Sequence, residues 1–178
     1  MYIYKTIGFR PIEERDIEGL RALYNDMTTF LQLGRAEMVS SEEQVEWWKR
    51  LSRGPGDKHY AIVQAETDEL LGKLRVQNID HVNKHCEIGL DILPSLRGHG
   101  YGRMAYQMIL QYLFQHANMH MSYLRVGDFN ERAKGLYEKL GFLETGRYKE
   151  YLFRYGRYWD YIIMTMTREQ YVRVYGSE

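Results

Sequence analysis

The hydrophobic pattern of the 178-residue chain switches between a period of two and a period of three to four. Alternating segments predict strands at residues 7–9, 59–65, 70–79, 85–92, 122–126, 150–154 and 158–167. Helical spacing predicts helices at residues 16–27, 41–51 and 130–140, and another from just after Gly102 to about His116. This order, early hairpin strands followed by alternating strands and helices, predicts an α/β (α+β) fold with a mixed sheet and helices on both faces.

Capping residues mark three of these helix ends. Asp16 is placed to cap the first helix. Ser41 and Gln44 stand in capping-box register at the start of the second helix. Gly141 is placed to end the helix at residues 130–140.

Length and composition predict one domain, residues 1–178, with its core at about residues 7–167. Lys and Arg number 24 and balance 24 Asp and Glu, which disfavours nucleic acid as a partner. The single cysteine and the absence of a signal pattern favour a cytoplasmic location, and no apolar run is long enough to span a membrane. Tyrosine is distributed unevenly, because twelve of its sixteen residues follow residue 100.

Residues 97–102 form a glycine-rich segment, Arg-Gly-His-Gly-Tyr-Gly, between a predicted strand and a predicted helix. Glycines let the backbone approach a ligand, and the free N–H groups at a helix start attract anions. A dinucleotide fingerprint starting at Gly98 would need glycine at position 103, which is Arg103, and the Gly-Lys-Ser/Thr of a Walker A loop is absent. The segment therefore indicates an anion cradle of another kind, or only a tight turn before a helix.

Two motifs resemble those of the GCN5-related N-acetyltransferase (GNAT) superfamily. Arg97, Gly100 and Gly102 match a loop pattern of Arg or Gln, two residues, Gly, one residue, and Gly or Ala. Residues 130–142 match Asn-x-x-Ala-x-x-x-Tyr-x-x-x-Gly-Phe. The likeness covers residues 7 to 167, and residues 146–167 look closest to bacterial spermidine/spermine and ribosomal-protein N-acetyltransferases.

This resemblance implies the GNAT fold, with a mostly antiparallel sheet splayed at the cofactor site, and acetyl-CoA as co-substrate. It places the pyrophosphate on backbone amides of residues 97–102 and pairs the pantetheine arm with a strand end in the manner of β-augmentation. Asn130 matches a cofactor-contacting asparagine, although helix capping explains it equally well. The implied cofactor-binding residues are Ile92, Leu93, Arg97, Gly98, His99, Gly100, Tyr101, Gly102 and Asn130.

Acetyl transfer to an amine requires a proton for the departing thiolate and a base for the amine. The resemblance assigns the proton donor to Tyr137, and a phenol with a reference pKa of about 10 stays protonated at neutral pH. Packing in an ordinary helical stripe is the alternative for Tyr137. Glu87 and Asp91 share one strand face across Gly89, where a gap could admit substrate or water. Glu87 is the candidate base, and a solvated or ion-paired strand face is its alternative.

No metal is implied, and Cys86 is expected to be a buried structural thiol. In the superfamily the segment at residues 33–43 forms one wall of the acceptor site. Its Glu37, Glu42 and Glu43 would suit a cationic amine, although acidic residues are also favoured in a first helical turn. We expect an amine acceptor, either a small molecule or a peptide, and a homodimer is a further expectation.

The predicted function is therefore N-acetylation of a primary amine by direct attack in a ternary complex. The acceptor stays open among polyamines, amino sugars, small amines and protein N-termini. One alternative is a non-catalytic sensor that binds acyl-CoA. Another is a nucleic-acid module based on a cationic tail, which zero net charge disfavours; its cations would be Arg147, Lys149, Arg154 and Arg157.

Overall fold

The computed structural model describes residues 1–34, 37–51 and 56–176, and within them contains eight strands and six α-helices. The strands are β1 Tyr2–Tyr4, β2 Ile7–Pro11, β3 Lys58–Gln64, β4 Leu70–Asp80, β5 His85–Ile92, β6 Met121–Gly127, β7 Leu143–Arg154 and β8 Arg157–Thr167. The helices are α1 Ile17–Asn25, α2 Met27–Phe30, α3 Ser41–Leu51, α4 Tyr101–Gln111, α5 Glu131–Leu140 and α6 Arg168–Tyr175. Both element types alternate along the chain, so the predicted α/β class is confirmed.

The chain divides into two units, the first made of Met1–Asn78 with Gly89–Met108 and the second of Ile79–Ile88 with Ile109–Glu178. In the first unit the strand order is β1-β2-β3-β4-β5, and β1, β2, β3 and β4 pair antiparallel in that order. Buried side chains of this unit form a core between α1 and β3. Its members are Ile12, Leu20, Leu23, Ala61 and Val63, against which Trp47, Trp48, Leu51, Leu70 and Leu93 pack.

The second unit has the strand order β5-β6-β8-β7. Strand β6 pairs in parallel with β5 and antiparallel with β8, and β7 pairs antiparallel with β8. The predicted mixed, mostly antiparallel sheet is therefore confirmed. Many apolar side chains of this unit are fully buried, among them Leu113, Phe114, Leu124, Leu140, Phe142, Ile162, Met164 and Met166.

Most predicted elements lie where the pattern placed them. Strand β5 matches the predicted range, and the helix after the glycine segment continues through a π-helical turn at Tyr112–His116. Strand β7 begins at Leu143 rather than at residue 150. The short strand β1 and helix α6 were missed, although Thr167 and Gln170 form a capping box that marks the start of α6.

Two capping predictions were wrong. The Asp16 side chain makes no cap bond to α1. It accepts from the Glu13 N–H at 2.8 Å, in the short turn before α1, and is buried against Arg10, whose Nη1 donates to Asp16 Oδ2 at 2.7 Å. The buried pair outweighs the local capping preference, because an unpaired buried guanidinium would be costly. At α3 the reciprocal bonds join Ser40 and Glu43, one residue before the predicted pair.

The predicted first helix is also interrupted. Asp26 has an extended backbone and accepts a hydrogen bond from the Thr29 N–H, so it ends α1 and caps the separate α2. None of the helices in the described ranges is long and apolar enough to cross a lipid bilayer. The single domain at residues 1–178 stays a prediction.

Candidate active site

The glycine segment of the first unit forms an open loop that leads into α4. After a short turn at Pro94–Leu96, Gly98 and Gly100 adopt φ values of 86° and 85°, a left-handed conformation that favours glycine. No atom lies within 4 Å of the position that a Cβ would take at either glycine. The first N–H groups of α4, from Tyr101 onward, have no intrahelical acceptor. The loop therefore offers free backbone donors beside unoccupied space, which suits a phosphate group.

Arg97 fastens this loop through its side chain. Its Nε donates to the Ile92 carbonyl at 3.0 Å, and its Nη1 donates to Thr28 Oγ1 at 2.6 Å. Its Nη2 donates to Thr29 Oγ1. The Arg97 N–H donates to the Pro94 carbonyl at 3.3 Å. Both the guanidinium and the amide of Arg97 are thus committed within the protein, and the free amides of the loop begin after it.

His99 bends back over the same loop. Its Nδ1 lies 3.3 Å from the Leu96 carbonyl and 3.1 Å from the Arg97 carbonyl, while the side chain remains exposed. This ring position leaves the loop amides uncovered.

The end of β5 has backbone groups that face in two directions. The Leu93 N–H donates to the Leu71 carbonyl at 2.9 Å, and the Leu93 carbonyl accepts from the Leu96 N–H at 2.9 Å. Successive residues of a strand direct their N–H and C=O groups to opposite edges, so those of Ile92 face away from β4. Ile92 is therefore better placed than Leu93 to pair with an added extended chain.

In the second unit Glu87 is part of a buried ion pair. Its two carboxylate oxygens accept from Nε and Nη2 of Arg125 at 2.8 and 2.9 Å, and Glu87 is 5% exposed. The hydrogen bond to Glu87 raises the pKa of Arg125, which therefore remains charged. The guanidinium also lies 5.4 Å from the ring centroid of Tyr161. The ion-paired alternative for Glu87 is thus present, while its role as a base stays a prediction.

The gap considered beside Gly89 is occupied by Arg75. The Nη2, Nε and Cζ atoms of Arg75 lie 2.7, 2.8 and 2.9 Å from the position that a Cβ would take at Gly89. Nη1 of the same guanidinium donates to Asp91 Oδ2 at 2.6 Å. Gly89 has no β-carbon, so Arg75 occupies the space beside it that was expected to admit substrate or water.

Helix α5 carries the two remaining predicted site residues. Asn130 is its N-cap and accepts from the Ala133 N–H at 3.1 Å, so the capping role is present and the cofactor contact stays a prediction. Tyr137 is half-buried, with its ring 6.2 Å from that of Phe142 in an edge contact. Gly141 ends the helix with φ 99°, as predicted.

Two further predictions concern sulfur and acidic groups. Cys86 is fully buried, and burial raises the pKa of its thiol to about 12, which agrees with a structural role. Among the described residues, no group of three or more His, Cys, Asp or Glu side chains could hold a metal ion. In the predicted acceptor wall, Glu43 belongs to the α3 capping box and Glu37 and Glu42 are exposed, while Arg35 and Ala36 lie outside the described residues.

The late tyrosines gather on β7 and β8. The ring centroids of Tyr148 and Tyr151 are 5.2 Å apart, and those of Tyr151 and Tyr161 are 5.6 Å apart in a stacked pair. Tyr155 and Tyr158 are more than half exposed. These rings form an aromatic surface on the last hairpin, which accounts for part of the uneven distribution of tyrosine.

Sequence reasoning missed three polar residues of the sheet: Lys73, Arg75 and Arg125. Each is a basic residue in a largely apolar stretch of its strand, and Lys73 and Arg75 are spaced by two and therefore share a face. The two-residue spacing of Lys73 and Arg75 is the sequence feature that could have indicated a polar face on this strand. The partners of these residues come from other strands, so the pattern of one strand could not identify them.

Comparisons with known proteins agree with this geometry. The family model for the acetyltransferase (GNAT) domain matches residues 6–143. Spermidine N(1)-acetyltransferase of Vibrio cholerae is 26% identical over 166 residues, covering 93% of this chain and 95% of that protein. Phosphinothricin N-acetyltransferase of Streptomyces coelicolor is 27% identical over 161 residues, covering 86% and 92%.

A solved structure gives the corresponding fold comparison. The crystal structure of spermidine N-acetyltransferase from Vibrio cholerae in complex with CoA and spermine has a TM-score of 0.88 with 25% identity, covering 95% of this chain and 99% of that one. The chain belongs to the GNAT acetyltransferase family. It is an N-acetyltransferase that uses acetyl-CoA, as the two motifs indicated.

Proposed function

We propose that the protein transfers the acetyl group to a primary amine by direct attack within a ternary complex. The observation that carries this proposal is the open glycine loop before α4, which Arg97 fastens and which leaves backbone N–H groups free beside empty space. Acetyl-CoA supplies the acetyl group as a thioester and departs as a thiolate. The single cysteine of the sequence, Cys86, is buried and its thiol pKa is raised, which disfavours an acetyl-cysteine intermediate.

The first unit would hold the cofactor. Backbone N–H groups of Gly98, Gly100 and Tyr101, with the first turn of α4, would bind the pyrophosphate. Ile92 would pair with the pantetheine arm through its backbone, on the edge of β5 that faces away from β4. Arg97 would act mainly by fixing the loop, because each of its three guanidinium nitrogens already donates a hydrogen bond within the protein.

Tyr137 and Glu87 would supply the proton transfers. The acceptor nitrogen forms a bond to the acetyl carbon while the carbon–sulfur bond breaks. Tyr137 would give its phenolic proton to the sulfur, and Glu87 would take the proton lost by the amine. Arg125 would hold the Glu87 carboxylate in a fixed orientation through its two hydrogen bonds.

The variant Tyr137→Phe tests the proton donor. It keeps the aromatic ring and removes only the hydroxyl, so we expect kcat at saturating acetyl-CoA to fall by about 100- to 10,000-fold, the usual contribution of a positioned acid. Tyr158→Phe is the matched control, since Tyr158 is 62% exposed on the last hairpin. Release of free thiol from acetyl-CoA measures both. Turnover near that of the unmodified protein would remove Tyr137 as the acid.

The two rival functions have separate tests. A non-catalytic sensor would be stabilised by CoA and would release no thiol with any amine. A nucleic-acid module is disfavoured by the structure of the tail, because Arg147 pairs with Glu144 and Asp160, and Lys149 pairs with Asp160. Binding of RNA at low salt that collapses as salt rises would support the module.

The relatives do not agree on an acceptor, because one is named for spermidine and another for phosphinothricin. We therefore propose a primary amine as the acceptor, with polyamines included in the first panel to be tested. A homodimer and a cytoplasmic location stay predictions.

A further inference from the structure

A cluster of polar side chains lies on one sheet face in the first unit. We call His59, Lys73, Arg75 and Asp91 the basic patch. His59 of β3 stands directly opposite Arg75 of β4, and Lys73 shares that face two residues earlier. Asp91 of β5 completes the patch through its bond with Arg75. The patch therefore holds one carboxylate beside three nitrogen-bearing side chains.

Arg75 keeps most of its hydrogen-bonding capacity free. Its Nη2, Nε and Cζ atoms lie 2.7, 2.8 and 2.9 Å from the position that a Cβ would take at Gly89, so the guanidinium packs closely over that glycine. Within the described residues, the bond to Asp91 is the one hydrogen bond its five donors make, and its side chain is 22% exposed. A guanidinium with an open edge suits a planar oxyanion.

Lys73 is a buried amine with no carboxylate partner in the described part of the chain. Its Nζ donates to the Tyr24 hydroxyl at 3.1 Å and lies 4.2 and 4.6 Å from the ring centroids of Tyr24 and Trp47. Burial, aided by the charge of Arg75, lowers the pKa of Lys73 to about 7. An anion placed nearby would favour its protonated form.

Two buried polar atoms in this region, one within the patch and one on α3, lack partners among the described residues. They are Nδ1 of His59 and Nε2 of Gln44. Trp47 packs edge-on against His59 at 5.3 Å, and Gln44 lies one helical turn before Trp47 on α3. The Gln44 Nε2 group is a donor. Arg75, Lys73 and Gln44 thus bring donors to a region whose one carboxylate in the patch is Asp91, and buried polar groups without partners call for an explanation.

The patch adjoins the strand end that leads to the cofactor loop. Asp91 directly precedes Ile92, whose carbonyl accepts from Arg97 at 3.0 Å. Arg75 thus bonds to the residue that directly precedes the segment assigned to the pantetheine arm.

We propose that the basic patch binds an oxyanion of the acceptor, so that the acceptor is an amine that also carries a carboxylate or a comparable group. This inference rests on the proposed acetyl transfer and narrows its substrate class. A polyamine would bring further positive charge toward Arg75 and Lys73, whereas an amino acid would supply the missing acceptor oxygens.

Matched amines test this inference in the thiol-release assay. Each amino acid is compared with its amide and its decarboxylated form: L-phenylalanine with phenylalaninamide and 2-phenylethylamine, and L-lysine with lysinamide and cadaverine, with spermidine added. We expect kcat/KM to be at least about 10-fold higher for the acids, the value of one hydrogen bond to a charged group. Higher kcat/KM for spermidine, cadaverine or the amides overturns the inference and leaves the proposed function standing. No thiol release with any amine overturns both.

The variant Arg75→Gln tests whether Arg75 binds the carboxylate of the acceptor. We expect KM for the preferred acid to rise by about 10- to 100-fold while the dissociation constant of CoA is unchanged. Arg21→Gln is the matched control, because in the described ranges the ion-pair partner of Arg21 is the exposed Glu18 on α1. An unchanged KM for the acid in folded Arg75→Gln overturns the assignment.

A measurement on the unmodified protein covers the case in which Arg75→Gln does not fold. Titration calorimetry near pH 8, with CoA present, is run in two buffers of different ionisation enthalpy. Binding of 3-phenylpropanoate should take up more protons than binding of 3-phenylpropanamide, because the carboxylate favours protonation of Lys73 and neither ligand has an amine that titrates. Equal proton uptake with the two ligands overturns the patch as the carboxylate site.

Discussion

Replacing Glu87 with Gln perturbs the buried ion pair that holds the candidate base. Glu87 is 5% exposed and bonds to Arg125 through both carboxylate oxygens, at 2.8 and 2.9 Å. The variant removes the negative charge and leaves one carbonyl oxygen as an acceptor. One of the two hydrogen bonds can therefore persist, while the other is lost together with the charge pairing.

The expected loss of stability lies between two limits. Breaking a fully buried pair costs about 3–5 kcal/mol, whereas an exposed pair is worth about 0.2–1 kcal/mol. The Arg125 side chain is 28% exposed, so water can solvate part of its charge in the variant. We therefore expect the free energy of unfolding to fall by about 2 kcal/mol. For a chain of this length that corresponds to a Tm lower by roughly 4–8 °C.

Activity separates a base from a purely structural carboxylate. The matched variant Arg125→Gln disrupts the same pair but keeps the Glu87 carboxylate. If Glu87 is the base, Glu87→Gln should lower kcat by about 100-fold or more, and Arg125→Gln should lower it far less. Urea unfolding followed by circular dichroism measures stability, and thiol release measures kcat at a temperature where both variants are folded.

Two results would contradict this reasoning. A stability loss below about 0.5 kcal/mol in Glu87→Gln would show that the pair is energetically equivalent to a surface contact. Equal losses of kcat in the two variants would assign Glu87 a structural role and leave the base to be sought elsewhere.

Three further predictions concern stability, pH and reactivity. Gly141→Ala should lower the free energy of unfolding by about 1–2 kcal/mol in urea, because φ is 99° and the new Cβ would lie 2.9 Å from Val174. The control Gly146→Ala should lower the free energy of unfolding by less. Burial and the charges of Lys73 and Arg75 lower the pKa of His59 from 6.5 to about 3, so the contribution of His59 to stability is present above pH 6.5 and is lost as the pH falls toward 3. His59→Gln should therefore flatten the pH dependence of the free energy of unfolding between pH 6.5 and pH 3. An unchanged slope in that range would contradict this prediction. Cys86 should react with a thiol reagent at pH 8 only after denaturation, and rapid reaction of the native protein would show that it is accessible.

The sequence by itself determined the positions of most helices and strands, because hydrophobic period and turn residues act over a few neighbouring positions. Strand β5, the glycine loop and the helix that Gly141 ends were all predicted in this way. The two motifs also identified the family, because they report residue types at fixed spacing.

Only the tertiary structure decided how the polar side chains are paired. Asp16 was expected to cap a helix and instead binds Arg10, and the partner of Glu87 is 38 residues away in the chain. Arg75 could lie across Gly89 because β4 and β5 are adjacent, which neither strand's own pattern reveals. A buried charge must find its partner wherever the packed strands bring one close, and sequence distance does not limit that choice.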